Sequence, residues 1–341
     1  DYDKIMNILQ TKTNEVGSNH PAKIMLKKAA LNPRLLKKLV KNFRTDEKDD
    51  FYRQVLSQGT VSPAVIIFIV KNGADEYLKS DILENPNVPL EALLILANDE
   101  SALIRERIAS TPNTPPEALI ILARDRNEDI RGRVAKNPNT PLEVLLVLAK
   151  DEDEEVKESV AENPNTPPEV LLALANDEDK FVRKRVASNP NTPPEALIVL
   201  ARDEDKYIKE IVLWDPNTPP EALLILLKDN PLFIHGVANH HNTPPEVLLA
   251  LSRNENLLVR VIVSSNPNTP SEALLALAND EDESVRQTVA RNPNFSKDQI
   301  VETKKHRFSK KRLRQIILKE DGGAGIAGRM SNPGMRTSIT G

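Results

Sequence analysis

The side chains whose type and spacing come closest to doing chemistry are three histidines within seven residues, His235, His240 and His241, with Asp215 and Asp229 nearby. Neutral imidazoles and carboxylates are ordinary ligands of a zinc-type ion. Here they fall at the ends of helical segments, where side chains seldom converge on one point, so no metal ligand is assigned and an altered bend of the chain is expected instead. A second set pairs an aspartate with a basic residue six positions on: Asp99/Arg105, Asp125/Arg131, Asp151/Lys157, Asp177/Arg183, Asp203/Lys209 and Asp280/Arg286. One cation per repeat could bind phosphate, but an aspartate in step with it neutralises that field, and the pattern reads as a structural ladder. A third set, Lys304, Lys305, Arg307, Lys310, Lys311, Arg312 and Arg314, is a basic segment able to bind RNA, anionic lipid or an acidic protein, or to stand as a solvated capping helix. The sequence shows no phosphate-cradling glycine loop, no recognisable Ser-His or Cys-His arrangement and no carboxylate pair distinct from helix caps. Catalytic and cofactor-binding residues are therefore not assigned, and no cofactor is expected.

These residues sit in a repeat. Pro86, Pro112, Pro138, Pro164, Pro190 and Pro216 recur every 26 residues, His241 replaces the next after 25, and Pro267 and Pro293 resume the step. Such a period signals a stacked array in which each unit buries its apolar face on the next. In residues 111–136, Thr114 is expected to cap a first helix, with Pro115 and Pro116 in its first positions and Glu117 closing a capping box. Ala118, Leu119, Ile121, Leu122 and Ala123 make this helix A apolar. Asp125 is the expected cap of helix B, whose Ile130, Val134 and Ala135 form a narrower stripe, and Asn137-Pro138 ends it. Each helix is far below the roughly 12–15 residues at which an isolated helix becomes marginal. Stability must come from stacking.

The NPNTPPE…LA…DEDxxVRxxVA pattern resembles the leucine-rich repeat variant family and, more broadly, HEAT-like repeats. The resemblance implies an all-α, right-handed α-solenoid of about eight 26-residue helical hairpins over residues 85–291. It also implies alternating α- and 3₁₀-helices and inter-repeat ladders of aspartate and basic residues. An iron–sulfur cluster associated with the founding member is held by cysteines; this chain has none, so the cluster does not transfer. HEAT-like DNA glycosylases and bilin lyases are the enzymatic alternative, and none of their functional motifs is matched here.

Residues 1–84 read as an N-terminal helical cap with diverged repeats near 33–58 and 62–83, residues 292–320 as a basic C-terminal cap and 321–341 as a glycine-rich flexible tail. The chain starts at Asp1 rather than Met, as a trimmed chain would. No apolar run reaches the roughly 18 residues of a membrane span, so a cytoplasmic protein is expected. Net charge is +3 for 1–84, −14 for 85–291 and +7 for 292–341. An acidic array argues against nucleic acid as the main partner and leaves the basic C-terminal segment as the alternative anionic-ligand site.

The expected function is noncatalytic protein binding, with self-association as a variant. Its site is read from columns of helix B that turn apolar late in the array. Asp129 and Glu155 give way to Phe181, Tyr207, Phe233 and Leu258; Glu128 and Glu154 to Leu232 and Leu257; Arg107, Arg133 and Arg185 to Ile211 and Ile262. Trp214 stands at a position held elsewhere by Ser110, Lys136, Glu162, Ser188 and Ser265, and is expected to be exposed. These side chains either form an exposed patch or are buried by a tilt at the shortened sixth repeat, where His235 occupies the expected ladder position.

Overall fold

The computed structural model describes residues 21–41, 43–85 and 87–295. Among them the only regular elements are α-helices and one 3₁₀ turn, paired into hairpins. They divide into two compact units, Asp1–Val170 and Leu171–Gly341. In the first, Pro21–Leu31 precedes hairpins Pro33–Leu39/Thr45–Leu56 and Pro63–Lys71/Glu76–Leu83, and then the regular repeats Leu90–Leu96/Ala102–Ser110, Pro116–Leu122/Glu128–Lys136 and Leu142–Leu148/Glu154–Glu162. In the second, helix Lys180–Ser188 is followed by hairpins Pro194–Leu200/Lys206–Trp214, Pro220–Asp229/Ile234–Asn239, Pro245–Leu251/Leu257–Ser265 and Ser271–Leu277/Glu283–Val289. Repeats are numbered one to eight from Asn85.

Within a repeat the burial pattern is constant. Helix A of repeat two buries Ala118, Leu119 and Leu122, and helix B buries Ile130, Val134 and Ala135. Counted back from the asparagine that opens the next turn, the core positions of helix B are seven, three and two residues away. Both helices are α-helical, so the alternation with 3₁₀-helices implied by the family resemblance is not seen; the single 3₁₀ turn is Pro231–Phe233 in repeat six.

The capping expected from sequence is corrected. The N-cap of helix A is Pro115, extended at φ −60° and ψ 144°, not Thr114. Both residues precede a proline, whose ring disfavours helical angles in the residue before it. The Thr114 hydroxyl instead donates to the Ile108 carbonyl at 2.6 Å, one of the acceptors left over where helix B ends. Thr140, Thr166, Thr243 and Thr269 do the same for Val134, Val160, Val237 and Val263. Helix B of repeat two is capped by Asn127 rather than Asp125.

Asp125 is used elsewhere. Arg105, from the preceding repeat, donates Nε and Nη2 to its two carboxylate oxygens at 2.6 and 3.1 Å. The same rung joins Arg131 to Asp151 and, in the second unit, Arg183 to Asp203 and Arg260 to Asp280. Lys79–Asp99 and Lys209–Asp229 follow the same spacing at 2.6 and 2.7 Å. The partner thus lies 20 residues ahead. Across the six-residue spacing the guanidinium meets a backbone carbonyl: Arg105 Nη1 donates to Asp99 O, Arg131 to Asp125 O and Arg183 to Asp177 O. Burial pushes the Asp203 carboxyl up, but the Arg183 hydrogen bond and the Asp205 amide outweigh it and hold the group below the ordinary 3.8.

Asparagines of the turns form a further ladder. Asn137 Nδ2 donates to Ala109 O and Thr111 O of the preceding turn, both at 2.8 Å, while its Oδ1 accepts the Asn139 amide. Asn163, Asn266 and Asn292 repeat the arrangement. The asparagine two residues later adds a tie to the previous turn's proline carbonyl, as Asn165 does to Pro138 O at 2.8 Å.

Repeat six departs at each of these points. Its opening residue, Asp215, has no side-chain N–H to donate, and His240 follows in the same column. Nε2 of His240 donates to Asp215 O at 2.9 Å, and Nδ1 accepts from Asn242 N at 3.1 Å, an arrangement that needs the neutral ring. Counted back from His240, the ladder position is Ile234, not His235, and the aspartate 20 residues ahead has become Asn254. Ile234 packs on the apolar cluster of Ala238, Leu248 and Val259. Gly236 lets Leu213 of repeat five approach; a Cβ there would lie 2.5 Å from Leu213 Cδ2.

Three outcomes follow from this packing. In a double-mutant cycle by denaturant unfolding, Arg183→Ala and Asp203→Ala are each expected to cost about 3 kcal/mol and to couple by about 1–3 kcal/mol. Arg183 with Asp177→Ala should couple less, because the acceptor there is backbone; the reverse ranking would disprove the 20-residue rung. Burial, opposed by the Asp215 carbonyl and reinforced by the His241 charge, lowers the His240 pKa from 6.5. Its contribution is complete above 6.5 and declines as pH falls below it, since the unfolded chain binds the proton first. Melting temperature should therefore drop between pH 7 and 5 more in the native chain than in His240→Asn. Gly236→Ala is expected to destabilise by about 1–3 kcal/mol through overpacking on Leu213, measured by the same unfolding assay.

Candidate interaction surface

Once the core and ladder positions of helix B are taken, the residues eight and one before the turn face outward, and the one four before lies between them on the same face, more buried in most repeats. In Lys206–Trp214 these are Tyr207, Ile211 and Trp214, spaced i, i+4 and i+7 along one face of the helix. Tyr207 is 72% and Trp214 64% exposed, and Ile211 is half-buried. On the helix Leu257–Ser265, Leu258 is exposed and Ile262 half-buried at the matching positions, with Leu257 also exposed. Phe181 is exposed on Lys180–Ser188, where the Lys180 ammonium lies 5.2 Å from its ring centroid.

Repeat six reorders the expected column. Phe233 is only 4% exposed and belongs to the core. It lies seven residues before His240, as Ile208 lies seven before Asp215 and Val259 seven before Asn266. The missing residue is absorbed ahead of Phe233, where helix A extends to Asp229 and the chain turns through Pro231–Phe233. Leu232, eight residues before the turn and 74% exposed, takes the place expected for Phe233. The outward row is therefore Phe181, Tyr207, Leu232 and Leu258. Tyr77 and Leu103, in the first unit, are exposed at the same distance from their turns, and the weaker periodic signal ahead of Asp129 hides them in the sequence.

The other candidate residues are dispersed. His240 is committed to the turn ladder, with His241 stacked on it at 4.8 Å between ring centroids, and His235 lies on helix B. No group of three or more metal-ligating side chains converges among the described residues. Prolines, threonines and asparagines of the turns in repeats six to eight line an open groove with Glu246 and His241. Lys304, Lys305, Arg307, Lys310, Lys311, Arg312 and Arg314 lie outside the described residues. No described helix is long and apolar enough to cross a membrane.

The family described as leucine rich repeat variant matches residues 154–179, 181–205 and 257–282. A solved structure described as a leucine-rich repeat variant with a novel repetitive protein structural motif is 24% identical, over 74% of this chain and 87% of its own, with a TM-score of 0.39. No curated protein sequence matches the chain. Each matched segment runs from a helix B through the helix A that follows it, and in these segments the chain is similar to the leucine rich repeat variant family.

Proposed function

We propose that this chain is a noncatalytic repeat scaffold that binds a protein partner on the helix B face of repeats four to seven. The observation carrying the reading is the Tyr207, Ile211, Trp214 stripe, continued on neighbouring helices by Phe181, Leu232 and Leu258. Contiguous apolar surface of this kind is costly to leave in water, and aromatic side chains are the usual anchors of interfaces. The charged residues that recur most regularly support the same reading, because they are consumed by one another in the ladder rungs.

Affinity capture on the native chain and on Tyr207→Ser/Leu232→Ser tests it. Both positions are solvent-exposed, so the double variant should keep its stability within about 0.5 kcal/mol while losing a partner that the native chain retains, by at least about tenfold in affinity. Phe233→Ser is the contrasting control, expected to cost about 3 kcal/mol or more in stability because it empties a core site. Equal recovery of every captured protein by the native chain and the folded double variant would reject the surface.

A further inference from the structure

We infer that the partner segment is an amphipathic helix with one apolar residue per heptad and its carboxylates clustered at the end that lies over repeat four. This rests on the protein-binding reading above and adds the chemistry and polarity of the partner. Phe181, Tyr207, Leu232 and Leu258 hold equivalent positions on four successive helices B. Packed helices lie about 8–10 Å apart, so the four side chains form a row of about 25–30 Å. An α-helix advances about 10.5 Å per heptad, so one anchor per heptad meets one repeat, and roughly 20 residues span the row.

Charge is distributed unevenly along that row. In repeat four, Lys180 and Lys184 stand exposed beside Phe181, and neither makes an ion pair among the described residues. The corresponding positions of repeat five are Lys206 and Glu210, which neutralise each other at 3.2 Å. In repeat six they are Pro231 and His235, and in repeat seven Leu257 and Val261. The surface thus passes from a cationic, aromatic end to an apolar one. A nucleic-acid backbone carries anionic charge along its whole length and would leave the apolar end unmatched, whereas a helix acidic at one end matches both; an anionic bilayer would favour no one order of charge along a peptide and is separated by the vesicle arm of the test below.

Trp214 is the only tryptophan of the chain and flanks the row, so its emission reports occupancy directly. Three probes are titrated into the native chain. The first is a synthetic helix of about 21 residues with leucine at one position per heptad and glutamates at one end. The second is the same peptide with lysines for those glutamates, and the third is vesicles of phosphatidylserine and phosphatidylcholine. The glutamate peptide should blue-shift Trp214 and bind at least about tenfold tighter than the lysine peptide. Lys180→Glu/Lys184→Glu, with an unchanged melting temperature, should reverse that preference. Equal affinity for the two peptides, with Trp214 responding to both, would overturn the charge assignment and leave the interaction surface standing. Silence of Trp214 toward both peptides would overturn the helix itself, and a response to vesicles in preference to the peptides would assign the row to a membrane. Failure of the underlying surface would appear separately, as capture indifferent to Tyr207→Ser/Leu232→Ser.

Discussion

Helices of seven and nine residues have too few internal hydrogen bonds to repay their own nucleation, so every element here depends on the way one turn is fastened to the turn before it. Apolar contact supplies much of the attraction but little direction, because aliphatic side chains tolerate sliding. Direction comes from buried donors placed against specific carbonyls. Asn137 binds two carbonyls of the preceding turn, Thr140 closes the helix B that ends beside it, and Arg105 reaches forward to Asp125. The asparagine and arginine would lose their partners if a neighbouring repeat slipped by one residue, and an unpaired buried polar group costs about 1–3 kcal/mol. The 26-residue period is the sequence trace of that constraint.

Repeat six shows how far the constraint can be relaxed. Its charged rung is absent in both members: Ile234 replaces the cation and Asn254 the carboxylate 20 residues ahead. Loss of one member alone would have buried an uncompensated charge, the most destabilising outcome for such a pair. Apolar contact takes over, with Ile234 on the core cluster and Leu213 seated against Gly236. His240 retains part of the asparagine function through its ring nitrogens, at the cost of requiring a neutral ring.

Much of the architecture was legible in the residues, and the errors share one physical origin. Helix pairs, core columns and the end of helix B at Asn-Pro follow from local patterns, and they stand where the periodicity places them. Contacts between repeats are harder, because in a periodic chain a spacing of six and a spacing of 20 recur equally often and cannot be told apart by counting. Asp125 therefore passed for an intra-repeat partner and a helix cap, although Arg105 holds it from the repeat before. The asparagine ladder was hidden for the same reason, since Asn137 and Asn139 look like turn residues until their acceptors are seen to lie one repeat back. Phe233 falls in the exposed column when repeat six is counted from its start and in the core when it is counted from the turn at its end, and the turn fixes the geometry.

That anchoring also explains where a binding function can be written. Core packing claims the positions seven, three and two before the turn, and the rung claims the one six before it. Those eight and one before are exposed in every regular repeat, and with the position four before they change from Glu155, Ser159 and Glu162 in repeat three to Tyr207, Ile211 and Trp214 in repeat five. Ser159 shows the limit of that freedom, being buried against its own helix, where its hydroxyl donates to Glu155 O. Tyr207 and Trp214 have no such internal use. Because the deletion in repeat six lies ahead of Phe233, it leaves this outward register intact and places Leu232 in line with Tyr207 and Leu258. The interruption of the repeat thus preserves the row of surface side chains while it dismantles a rung beneath them.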